Sequence, residues 1–156
     1  MAQEDLAARV RRLELVELAK VATVNYGRAC DRKDVDELRT NVFTTDIVVR
    51  LASRELRGID DVAAFYTAAF VAEPGTRRHF LTNQVAEIAG TDRVRLDSYF
   101  FFLSADARSV IGWGSYRDVV VAHHDKPRIS DKTIILDVHT DLDSGWAVSP
   151  FARGLQ

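Results

Sequence analysis

The chain has 156 residues, enough for one domain with one substantial core, and its 47% apolar and 28% charged residues are an ordinary globular balance. A formal net charge of -2 gives no electrostatic reason to expect nucleic acid or an anionic membrane surface as a partner. The single cysteine, Cys30, cannot close an intramolecular disulfide, no apolar run reaches membrane-spanning length, and no basic start leads into an early apolar run, so the expectation is one cytoplasmic domain over residues 1–156.

From residue 3 to 29 the sequence predicts a long amphipathic helix, because Leu15, Leu18, Ala19, Ala22, Tyr26, Ala29 and Cys30 recur at three- and four-residue spacing. Arg9, Arg11 and Arg12 lie among acidic residues and read as a solvated face of that helix. The helix breaks in the polar run 31–34, where Asp34 followed by Glu37 opens a short second helix through Arg39. A strand over 43–51 and a polar turn over 53–58 lead to a third helix over 62–71 with Asp60 and Asp61 in its first turn.

Pro74 and Gly75 end that helix, and beyond them the apolar period changes to two. Strands are predicted over 77–89, 93–104, 109–123 and 128–139, joined by turn-forming runs. Gly112 and Gly114 point to a bulge or bend in the third of these. Past residue 140 the chain is irregular, with Trp146 and Phe151 as expected anchors. Helices first and long strands afterwards define an α+β domain: a curved antiparallel sheet packed against three N-terminal helices. The strands from residue 93 carry apolar residues on both faces, which predicts a homo-oligomer, dimer or trimer, joined through the outer one.

Alternation along 77–88 places His79, Leu81, Asn83 and Val85 on one face, so a histidine and an amide share a surface with aliphatic side chains. Such polar groups need partners or must line a cavity. Tyr26 and Asp31, from the first helix, are the candidate partners. A carboxylate bonded to one imidazole nitrogen fixes the tautomer, and a phenol can polarise a substrate oxygen. Taken singly, the three also have plain structural roles as a core tyrosine, a helix-end aspartate and a buried histidine. His123, His124 and His139 lack metal-ligand spacing; His139 alternates away from the Ile134, Leu136, Val138 face, toward the outer side or a subunit contact.

The spacing Tyr26-x-x-x-x-Asp31, the strand opening with His79 and Asn83, and the later Gly114-x-Tyr116-x-Asp118 resemble the SnoaL-like branch of the nuclear transport factor two-like superfamily. That resemblance covers nearly the whole chain and implies a cone-shaped α+β fold shared by scytalone dehydratase, bile-acid dehydratase, polyketide cyclases, ketosteroid isomerase and the β subunits of ring-hydroxylating dioxygenases. It implies catalytic roles for Tyr26, Asp31 and His79. Where the bile-acid dehydratase type carries an active-site arginine on its last long strand, this chain has Leu136, which favours a hydrophobic substrate over an anionic or thioester-linked one.

The expected substrate-binding residues are Asn83, Tyr99, Phe101, Trp113, Tyr116 and Leu136, with Phe100 and Phe102 as further lining candidates. The expected activity is that of a lyase or isomerase, a dehydratase or cyclase, acting on a hydrophobic oxygenated small molecule with no cofactor and no metal. Two other classes fit the same fold: a non-catalytic dioxygenase-type β subunit, and a small-molecule binding protein.

Overall fold

The computed structural model describes residues 5–105, 109–123 and 126–141. Helix α1 (Leu6–Arg32) is followed by α2 (Val35–Glu37), which runs straight into a π-helical turn at Leu38–Val42. Then come β1 (Phe43–Leu51), β2 (Arg54–Arg57), α3 (Ile59–Ala72), β3 (Thr76–Ile88), β4 (Arg93–Ala105), β5 (Ser109–His123) and β6 (Lys126–Asp141). His124, Trp146 and Phe151 lie outside the described residues.

The apolar stripe of α1 is its buried face: Leu15, Ala19, Ala22, Tyr26, Ala29 and Cys30 are all buried. The helix ends at Lys33, whose left-handed backbone (φ 56°) lets its N–H reach the carbonyls of Ala29 and Cys30. Lys33 Nζ also donates to the Gly75 carbonyl at 2.5 Å, tying the end of α1 to the start of β3. The Asp34 side chain accepts from the Glu37 N–H at 2.8 Å and starts α2 as the capping pattern predicts.

The six strands form one sheet in the order β2-β1-β6-β5-β4-β3. All neighbours are antiparallel except β1 and β6, which run parallel, so the expectation of a purely antiparallel sheet is corrected at this one pair. The parallel pair arises because α3 carries the chain from β2 to the far edge, and the β3-to-β6 meander then brings β6 back beside β1. The segment expected as a polar turn holds strand β2, where Leu56 alone faces the core.

Two bulges matter for the site. Between Thr82 and Val85 the β3/β4 register slips, with Asn83 at φ 51°, and between Trp113 and Gly114 the β5/β6 register slips as the glycines predict. A β-carbon at Gly114 would run into the Ile135 carbonyl, so only glycine fits there.

The core lies between the helices and the concave face of the sheet: Phe43, Ile47 and Val49 from β1, Val62, Tyr66 and Phe70 from α3, and Val94, Leu96, Phe100 and Phe102 from β4 meet the α1 stripe. Each such side chain contributes roughly 1.5–3 kcal/mol on full burial, which makes this layer the main source of stability.

Candidate active site

Asp31 and His79 meet where the last turn of α1 crosses the edge strand β3. The Asp31 carboxylate accepts from His79 Nδ1 at 2.7 Å and from the His79 backbone N–H at 3.0 and 3.2 Å. That N–H points off the free edge of the sheet, so the carboxylate satisfies an edge donor and holds the ring with the same group. An ionised carboxylate only accepts, so Nδ1 is the donor in this contact, and in the neutral imidazole it is Nε2 that carries the lone pair. The side chains are 8% and 14% exposed, and both border a cleft of about 520 Å³ along the seam between α1 and β3.

Phe102, on the concave face of β4, forms a second surface of the site. Its ring centroid lies 5.6 Å from that of His79 and 6.0 Å from that of His139, and the Arg77 guanidinium sits 5.2 Å from the same centroid. His139, though exposed, therefore lies on the Phe102 side of the sheet, contrary to the outward or intersubunit position expected for it; the bulge in the β5/β6 pairing shifts the alternation beyond it.

Tyr26 lies deeper. Its hydroxyl is 2.9 Å from that of Tyr66, and its ring packs edge-on against Tyr116 at 5.6 Å. Burial, the largest cause, holds the phenols of Tyr26, Tyr66 and Tyr116 well above their ordinary value, and pushes the Cys30 thiol up to about 12. Between the rings of Tyr26 and Tyr116 sits the Lys132 ammonium, 3.9 and 3.6 Å from their centroids. It donates to both Asp118 oxygens at 3.1 and 3.2 Å, and Thr23 donates to the same carboxylate at 3.5 Å. Burial drives Asp118 up and Lys132 down, and each opposes the shift of the other.

Of the expected site residues, Asp31 and His79 are brought together, Tyr26 lies in the packed floor with its hydroxyl against Tyr66, and Tyr116 shares that floor. Asn83 does not share the His79 face: the bulge turns it outward, into a shallow depression with Val85, Asp97 and Tyr99. Tyr99, Phe101 and Trp113 line another depression on the convex face, and Leu136, opposite Gly114 at the second bulge, is 45% exposed and outside the core. These five are not lining residues of the dyad.

Residues that sequence reasoning did not bring to the site are Arg77, Tyr66 and Lys132; His139 was placed on the other face, and Asp118 entered only through the motif Gly114-x-Tyr116-x-Asp118. For Arg77 the signal was present, since it stands two residues before His79 and shares its face by strand alternation. Among the described residues no three His, Cys, Asp or Glu side chains form a ligand group, and no helix is long and apolar enough to cross a membrane.

Residues 11–133 match the model of the SnoaL-like domain. No curated protein matches the sequence. Among solved structures, a scytalone dehydratase-like protein from Novosphingobium aromaticivorans is 16% identical with a TM-score of 0.76, over 85% of this chain and 91% of that one. The hexachlorocyclohexane dehydrochlorinase LinA-type3 from Novosphingobium barchaimii is 14% identical with a TM-score of 0.76, over 91% and 99%. A candidate aromatic ring hydroxylase from Novosphingobium aromaticivorans is 21% identical with a TM-score of 0.74, over 85% and 96%.

Proposed function

Because the chain belongs to the SnoaL-like domain family, we propose that it is a cofactor-independent lyase or isomerase of a hydrophobic, oxygenated small molecule, with His79 as the proton-transfer group and Asp31 as its orienter. The observation that carries this is the 2.7 Å bond from His79 Nδ1 to Asp31, which leaves Nε2 as a free base in a partly dry site. The dehydratase and dehydrochlorinase among the structural neighbours support elimination as the reaction type.

In a dehydration, Nε2 takes a proton from a carbon made acidic by a neighbouring carbonyl. The carbon–oxygen bond on the next carbon breaks, and the departing hydroxide takes a proton to leave as water. The proton returns from the imidazolium, which resets the base. Tyr26, expected to polarise the substrate oxygen, is buried with its hydroxyl 2.9 Å from that of Tyr66, so in this reading it supports the floor beneath the dyad and does not contact the substrate.

The test is a panel of β-hydroxy ketones and halogenated or hydroxylated ring compounds, followed by mass spectrometry and halide release. Conversion of a member without added metal or cofactor, unchanged by a chelator, is the expected result. Conversion that depends on an added metal ion would contradict it. The exposed apolar side chains of the convex face, with the ring-hydroxylase neighbour, favour one other reading, a non-catalytic subunit. Co-purification with a larger iron-containing chain would support that instead.

A further inference from the structure

We infer that Arg77 is the anion-binding group of this site, and that the substrate carries a carboxylate or an equivalent anionic oxygen beside an apolar body that rests on Phe102. The inference rests on His79 being the working base, and it names the substrate class.

Three observations converge. Arg77 shares the His79 face of β3, two residues along, and the side chains of both lie against the Phe102 ring. Nδ1 of His79 is held by Asp31, and the two ring nitrogens diverge, so Nε2 points away from Asp31 and the end of α1. His79 and Arg77 therefore present a base and a cation to one aromatic ring, 5.6 and 5.2 Å from its centroid.

The second observation is a missing partner. Arg77 is only 18% exposed, and its Nε is buried with no hydrogen-bond partner among the described residues. A buried guanidinium N–H is costly to leave unmatched, and a planar fork of donors suits a carboxylate. The third is the nature of its ion pair among the described residues. Arg77 pairs with Glu73, just past the end of α3, whose side chain is 46% exposed. A carboxylate so open to water binds weakly and is readily displaced by one held in a drier site. Glu73 thus keeps Arg77 neutralised when the site is empty and competes with the incoming anion.

This also replaces the expectation drawn from Leu136. The cation missing from the last strand does not make the site uncharged, because β3 supplies one beside the base.

The experiment uses benzoate and its neutral isostere benzamide as probes. Titrations of the whole protein follow the His79 ring signals by NMR on histidine-labelled protein, with affinities from calorimetry at fixed salt. Wild type should bind benzoate at least about tenfold more tightly than benzamide, and Arg77→Gln should bring benzoate down to the benzamide level. Glu73→Gln should tighten benzoate a few-fold and leave benzamide unchanged, an effect that a merely structural Arg77 would not produce. Equal affinities in wild type, or a benzoate preference that survives Arg77→Gln, would overturn the inference. If Arg77→Gln does not fold, Glu73→Gln decides: no gain for benzoate is a refutation. These outcomes are separate from the fate of the base, because loss of the His79 role would show in turnover of a His79 variant while the benzoate preference still followed Arg77.

Discussion

Asp31 holds both the ring and the backbone of His79: one carboxylate accepts from Nδ1 at 2.7 Å and from the main-chain N–H at 3.0 and 3.2 Å. The same contact closes the sheet edge and fixes the tautomer of a base, so the site is built into the seam that joins α1 to β3. Lys33, two residues beyond Asp31, reinforces that seam through the Gly75 carbonyl.

The Lys132–Asp118 pair should behave as a buried unit. Removing one partner leaves the other charge without compensation, so Asp118→Ala is expected to cost about 3–5 kcal/mol. The double change Asp118→Leu with Lys132→Met should be less destabilised than the two single changes added together. Urea unfolding of Asp118→Ala, the two singles and the double checks this; strict additivity of the singles would show that the two charges do not depend on each other.

Alkaline conditions should unfold the protein, and the sign follows from burial. Cys30 is pushed up to about 12 and the three buried tyrosines stand well above 10, while in the unfolded chain these groups ionise near about 8.5 and 10 respectively. The folded state therefore binds more protons than the unfolded one in this range. Their contribution is complete below about pH 8.5 and is lost as pH rises toward the folded values. Urea midpoints measured from neutral to alkaline pH should fall, and a thiol reagent should reach Cys30 only as the chain unfolds. Fast thiol reaction with native protein at neutral pH would contradict the burial.

The length and stripe of α1 and the cadence of the four long strands were legible because each is a repeated local signal, seven apolar positions in the helix and alternation sustained over a dozen residues in each strand. Strand β2 was not, since one apolar residue among Arg54, Glu55, Leu56 and Arg57 makes no pattern. The parallel meeting of β1 and β6 is a topological fact with no local signature. Asn83 and His139 were assigned to the wrong faces for a single reason: alternation was carried across a bulge, and one extra residue reverses every face beyond it. The Asp31–His79 contact came within reach because a helix end and a strand start were both marked in the sequence. The burial of Lys132 was not, because it depends on a carboxylate 14 residues earlier on the adjacent strand.

The convex face of the sheet should mediate self-association. Phe80, Tyr99 and Leu103 are exposed there at 49%, 58% and 39%, and the Phe80 ring lies tilted against Phe101 with centroids 5.8 Å apart. An apolar surface of this kind on a monomer usually marks an interface. Light scattering at micromolar concentration is expected to give a dimer or trimer, and Tyr99→Lys should shift it toward monomer. A wild-type protein that is only monomeric would remove the face from consideration.

The most direct test of the dyad is the turnover of His79→Ala, set beside its folded content by circular dichroism and urea unfolding, on whichever compound of the panel the wild type converts. Loss of a general acid-base group costs about 10²- to 10⁴-fold, so His79→Ala should fall by that much while still folded, and Asp31→Asn by somewhat less. A folded His79→Ala protein that turns over within a few-fold of wild type would contradict the assignment of His79 as the base.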